Sequence, residues 1–285
     1  MDWRGQRRSR NVEDRRGMGA AGAGGLGIAG TLAVLAFGYF FGVDISPLVG
    51  GMQQQTGTTQ QRDLTAAERE IGDFVSVILA DTEQVYHDIL PREAGVQYRE
   101  PTLVLFSGAV QSACGGASSA MGPFYCPADQ RVYLDTDFFQ VMEQRMNAGG
   151  ELAAAYVIAH EVGHHVQNIT GTLPAVNRMR SQLPERDSNR ISVLTELQAD
   201  CYSGLWARQA AQRLSLTRED VRDALNAAAA VGDDALQSAS RGTVVPDSFT
   251  HGSSEQRQEW FMRGMQEGTL AACDTFAQAG LNLRR

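Results

Sequence analysis

An α+β fold, mainly helical with a small sheet and preceded by one transmembrane helix, is predicted by three features of the sequence. Two short stretches of strand character, "PTLVLFSG" and "QRVYLDTDFF", come before a half that is patterned as helix from Glu151 almost to the end. An uncharged run from Gly17 to Val43 follows an arginine-rich start. The 285 residues, 43% of them apolar, suffice for one sizeable core, so a single catalytic-sized domain fits best.

Residues 1–16 carry Arg4, Arg7, Arg8, Arg10, Arg15 and Arg16 against Asp2, Glu13 and Asp14, although the whole chain has a net charge of −8. That acidity argues against nucleic acid as a partner. At ~1.5 Å per residue, a helical run over 17–43 would cover the ~30 Å of bilayer hydrocarbon. The arginines on its amino side put the leader in the cytoplasm and the body outside, in the cell (inner) membrane. A cleaved signal peptide is the competing reading; "GVDISPLVGG" offers no small-x-small cleavage pattern, which favours an uncleaved anchor. The polar stretch "GGMQQQTGTTQQR", within 44–64, reads as a flexible linker.

The folded body is expected over 65–285. "TAAE" forms a capping box at Thr65, and Ile71, Phe74, Val75, Ile78 and Leu79 follow at helical spacing. Later helices break at Gly171, around Pro184, near Leu214–Ser215 and in "RGTVVPDSFTHG". Four cysteines in an extracytoplasmic body suggest disulfides. Cys114 and Cys126 close a short, small-residue loop, which leaves Cys201 with Cys273, although sequence permits three connectivities. The lack of any C-x-x-C argues against a cysteine zinc cage.

The chemistry concentrates in "AYVIAHEVGHHVQN", which holds three of the five histidines. His160-Glu161-Val162-Gly163-His164 is H-E-x-x-H. On a helix, positions i and i+4 share a face ~5–6 Å apart, so both imidazoles can converge on one Zn²⁺ while Glu161 acts as general base toward its water. His165 lies on another face and reads as structural or rim-lining. In "TELQADCYSG", Glu196 and Asp200 again stand at i and i+4. Glu196 is the candidate third metal ligand, and Asp200 the acceptor that fixes a ligand imidazole. Asp233 and Asp234 read as helix-terminal groups rather than a second metal site.

With these strings in place the sequence resembles the gluzincin metallopeptidases, in which an H-E-x-x-H helix is followed by a helix bearing E-x-x-x-D. It is more closely similar to the bacterial family named "putative neutral zinc metallopeptidase", through "NVEDRRG", "MGPFYCPAD", "YVIAHEVGHHVQ", "ELQADC", "ALNAAAAVGDD" and "VVPDSFTHGSSEQR". The resemblance implies a zincin-like domain, a peptide or protein substrate, zinc held by His160, His164 and Glu196, Glu161 as base and Asp200 behind the ligands. It also implies that a strand just before the active helix, here "RVYLDTDFF", is the sheet edge that binds substrate. His251 would face the site and stabilise the oxyanion, with Arg257 as the alternative donor. The expected function is that of a membrane-anchored zinc endopeptidase. A gluzincin-like scaffold that binds a protein partner without hydrolysis, or a zinc hydrolase of cell-wall amides, would carry the same motifs.

Overall fold

The computed structural model describes residues 1–17, 62–118 and 121–283. Its elements run in chain order β1 (Val12–Asp14), α1 (Ala66–Glu93), β2 (Thr102–Phe106), β3 (Ala109–Ser112), β4 (Gly115–Ser118), β5 (Phe124–Cys126), β6 (Arg131–Asp135), α2 (Asp137–Arg145) and α3 (Glu151–Ile169). There follow α4 (Thr172–Arg180), α5 (Glu185–Ala210), α6 (Arg218–Ala230), α7 (Asp233–Arg241), α8 (Ser254–Glu267) and the short α9 (Thr275–Gln278). This is a mainly helical α+β fold with a small sheet.

The Thr65 hydroxyl accepts from the Glu68 backbone N–H and the Glu68 carboxylate accepts in return, so α1 starts at its capping box. Val75, Ile78 and Leu79 then bury the helix against the sheet. In β2, Leu103 and Leu105 face that helical core, whereas Val104 and Phe106 face the antiparallel β3–β4 hairpin. The hairpin covers the far face, which is why this strand reads as continuously apolar.

The sheet order is β1-β2-β6-β5, parallel except for the β5–β6 pair. Strand β6 is therefore internal, and the expectation that "RVYLDTDFF" forms the edge is corrected: β5 is the edge on that side. The stretch also stops being strand at Asp135. The buried Asp135 carboxylate accepts from the N–H groups of Gly108 and Asp137, turning the chain into α2.

The arginine-rich leader is a second correction. Residues 1–17 are part of the body. Strand β1 pairs in parallel with β2, Trp3 is buried edge-on against Phe74, and Ser9 bonds to Ser76 in both directions. The arginines are matched by acids: Arg4 with Glu70, Arg8 with Asp73, Arg7 with Glu83, and buried Arg16 with Asp14. A segment hydrogen-bonded to the body's sheet lies on the same side of any membrane as the body, so a cytoplasmic leader with an extracytoplasmic body does not fit this fold. The apolar run read as an anchor lies, beyond Gly17, outside the described residues, as does the linker up to residue 61. No helix among the described residues is long and apolar enough to cross a membrane. The backbone N–H of Arg62 donates to the Gly17 carbonyl at 3.0 Å, so the two described ends meet.

Candidate metal centre

Helices α3 and α5 cross where Gly163 meets Ala199. A Cβ on Gly163 would lie 3.1 Å from the Ala199 carbonyl oxygen and 3.2 Å from its Cα, so a side chain there would push the helices apart. The crossing brings one turn of α3, with His160, Glu161 and His164, against one turn of α5, with Glu196 and Asp200. Apolar residues of the two helices, among them Ile158, Val162 and Leu205, are fully buried.

The donor atoms of His160, His164 and Glu196 all lie within 4.8 Å of one another. The Glu196 Oε2 is 3.1 Å from His160 Nε2 and 3.5 Å from His164 Nε2. Ligands at ~2.0–2.1 Å around a tetrahedral Zn²⁺ stand ~3.4 Å apart, so these separations fit that ion. The opposite nitrogens are committed. His160 Nδ1 donates to Asp200 Oδ1 at 2.9 Å. His164 Nδ1 donates to Gln167 Oε1 at 2.8 Å, an orientation fixed because the Gln167 amide donates to Thr195 O and Gln198 Oε1. Both Nε2 atoms are thereby turned toward Glu196, which is the arrangement a metal requires.

Charge in the site follows from burial and pairing. Burial opposes ionisation of Glu196, but the neighbouring His164 and His160 outweigh it and hold the carboxyl well below its usual range. Burial likewise works against a charged His160, yet the Asp200 carboxylate and the Glu196 hydrogen bond push this imidazole up to about 10. Glu161 goes the other way: burial raises its carboxyl, with His164 and His160 opposing. That is the direction that suits a proton-accepting base.

His251 lies outside this crossing, on the loop before α8, whose capping box of Ser253 and Gln256 forms as the spacing implied. Its Nδ1 is 3.2 Å from Asp233 Oδ1. The other Asp233 oxygen accepts from the backbone N–H groups of Thr250, His251 and Gly252. The hydrogen bond to Asp233 favours the charged imidazole against burial, and Glu196 adds to it through space. Asp233 thus holds the loop that presents His251, while Asp234 accepts from Ser254 at the start of α8.

Arg257 is buried behind His160, with Nε and Nη2 on the two Asp200 oxygens and Nη1 on the Val231 carbonyl. His165 is also structural, fully buried between Tyr125 Oη and the Arg99 carbonyl. Cys114 is bonded to Cys126 and Cys201 to Cys273. The first bridge ties the β3–β4 hairpin to edge strand β5; the second ties α5, one residue past Asp200, to the C-terminal segment. Sequence reasoning missed Tyr156 and Gln167. Both stand at helical spacing from a ligand, at i−4 from His160 and i+3 from His164, and that spacing was the available signal. Asp233 had none, since its partner lies across a loop.

A buried H-E-x-x-H turn opposed by a glutamate from a second helix defines a protein of the H-E-x-x-H metal-centre class. The chain belongs to the family described as "Putative neutral zinc metallopeptidase", which matches residues 1–276 and so includes β1. It is 44% identical over 291 residues to a protein of Escherichia coli K12 named "Uncharacterized protein YpfJ", covering 98% of this chain and all of that one. It is 47% identical over 195 residues to "Uncharacterized protein Rv2575" of Mycobacterium tuberculosis H37Rv, 65% of each chain. No solved structure matches it.

Proposed function

We propose that this protein is a zinc-dependent endopeptidase that holds its metal with His160, His164 and Glu196 and uses Glu161 as general base. The observation that carries the reading is the convergence of the two Nε2 atoms on Glu196 with both Nδ1 atoms already bonded behind them. Bound there, zinc would polarise a scissile carbonyl and make a water acidic enough to lose its proton near neutral pH. Glu161 takes that proton on its carboxylate and returns it to the leaving amine. Asp200 and Gln167 keep the imidazoles in the tautomer that leaves Nε2 for the metal.

His251 completes the set. With Nδ1 given to Asp233, Nε2 is the ring nitrogen available to a substrate, and the pairing favours the imidazolium. A donor of this kind is worth ~2.7–4 kcal/mol of barrier where it meets a developing oxyanion. A peptide of extended form would pair with an exposed sheet edge, and β5 is the edge beside β6. The two disulfides support a body held in an oxidising, extracytoplasmic space. The apolar run at 17–43 supports attachment of that body to the membrane, with the leader on the body's side.

The test is Glu161→Gln, assayed for zinc content and for cleavage of a broad peptide library. Zinc near one per chain with hydrolysis lowered ~10²–10⁴-fold is expected. A parent protein that binds zinc and cleaves nothing would instead be a binding scaffold, and equal cleavage by the variant would remove Glu161 from the role of base.

A further inference from the structure

The fully buried Asp200 receives four donors: Tyr156 Oη at 2.5 Å, His160 Nδ1 at 2.9 Å, and Arg257 through Nε at 2.8 Å and Nη2 at 3.0 Å. The arginine lies side-on, one nitrogen to each carboxylate oxygen, and Nη2 also reaches Tyr156 Oη at 3.2 Å. Tyr156, one turn before His160 on α3, thus closes a ring of contacts with Asp200 and Arg257. Nη1 is fixed separately by the Val231 carbonyl at the end of α6. Asp200 and Arg257 are both almost completely buried, so neither can turn to solvent for another partner.

The placement of Arg257 comes from a backbone-to-backbone crossing of α5 and α8. A Cβ on Gly204 would lie 1.9 Å from the Phe261 carbonyl oxygen, and one on Gly264 would lie 1.9 Å from that of Cys201. Asp200 is one turn before Gly204, and Arg257 one turn before Phe261. Glycine at the crossing is what lets the guanidinium reach Asp200 without a gap.

We propose that Arg257 is a positioning residue of the metal centre, acting through Asp200 and Tyr156 to fix the His160 ring with Nε2 toward the metal. The proposal rests on the zinc reading given above. A carboxylate with only His160 and Tyr156 to hold would be free to rotate about its Cβ–Cγ bond, and the His160 ring would rotate with it. The bidentate fork removes that freedom.

The experiment compares the parent full-length protein with Arg257→Met and Arg257→Lys. Zinc dissociation constants are read by competition with a chromogenic chelator, the visible spectrum of the Co²⁺-substituted protein is recorded, and melting of the metal-free form is followed. Arg257→Met is expected to weaken zinc ~10–100-fold, the range for partners behind a ligand, and to change the Co²⁺ ligand-field bands. Arg257→Lys keeps the charge and loses the fork, and carries the test if Arg257→Met fails to fold; its zinc affinity should fall and its Co²⁺ bands shift in the same direction. Parent-like zinc affinity and Co²⁺ spectrum in a folded variant would overturn the proposal and leave the zinc reading standing. A parent that binds neither metal would overturn both.

Discussion

At the scale of single residues, zinc and a proton compete for His160 Nε2. Without metal, Asp200 and Glu196 together push this imidazole up to about 10 against the effect of burial, so at pH 7 it holds a proton on each nitrogen. The Nδ1 proton stays with Asp200; the Nε2 proton faces Glu196 and is the one a metal must displace. His164 is raised in the same direction by Glu196, again against burial. Zinc binding at pH 7 should therefore release at least about one proton per ion. Affinity should climb about tenfold per pH unit for each proton released, up to the folded-state value of His160. Calorimetry in buffers of different ionisation enthalpy measures this, and a binding heat that is independent of buffer would contradict it. The sign for stability is fixed too. A raised histidine contributes to the metal-free fold fully below its unfolded value of ~6.5 and loses that contribution as the pH passes about 10. The ligand set itself was legible, because helical spacing alone puts His160 with His164 and Glu196 with Asp200. Arg257 was not. Its partner is 57 residues upstream, and only the approach of two helices joins them.

That approach is the decisive feature among the elements. The α5–α8 crossing admits no side chain at Gly204 or Gly264, and the Cys201–Cys273 bridge is covalently attached at the same level. Gly264→Ala would put a methyl group 1.9 Å from the Cys201 carbonyl oxygen, so one helix must move. We expect a loss of ~1–3 kcal/mol or more from overpacking, which for a domain of this size lowers the melting midpoint by roughly 2–4 °C per kcal/mol. Zinc affinity should fall with it, since Arg257 lies two turns from Gly264 on the helix that moves. An unchanged melting curve and unchanged zinc affinity would show that the crossing relaxes at no cost. Helix starts were well marked in the sequence, as Thr65 and Ser253 illustrate, because capping is local chemistry. Strand roles were less so. "QRVYLDTDFF" alternates regularly, yet nothing in ten residues records which neighbour a strand will take, and the single buried Asp135 ends it early.

For the whole molecule, the main departure from the sequence reading is where the first residues go. Three residues, Val12–Asp14, are too few to show a period of two, and six nearby arginines resemble the flank of a membrane span. The partners of three of them, Glu70, Asp73 and Glu83, sit on α1 beyond a long intervening segment, where a reading by local charge cannot reach them. The leader and the body should accordingly lie on the same side of any membrane. Single cysteines introduced at the exposed Arg10 and Glu185 test this in intact spheroplasts with an impermeant maleimide. Both should label or neither should; labelling of one alone would separate the leader from the body.

The hydrogen bond from Arg62 to Gly17 has a consequence for how the chain can vary. A fold whose strands of chain leave and re-enter at one point is, for every contact in its interior, already closed. Because the body itself holds Gly17 and Arg62 together, a change in the number of residues between them alters the loop-closure term by only ~0.6 kcal/mol per doubling. The candidate metal ligands all lie outside that stretch, so their geometry should survive its lengthening or shortening.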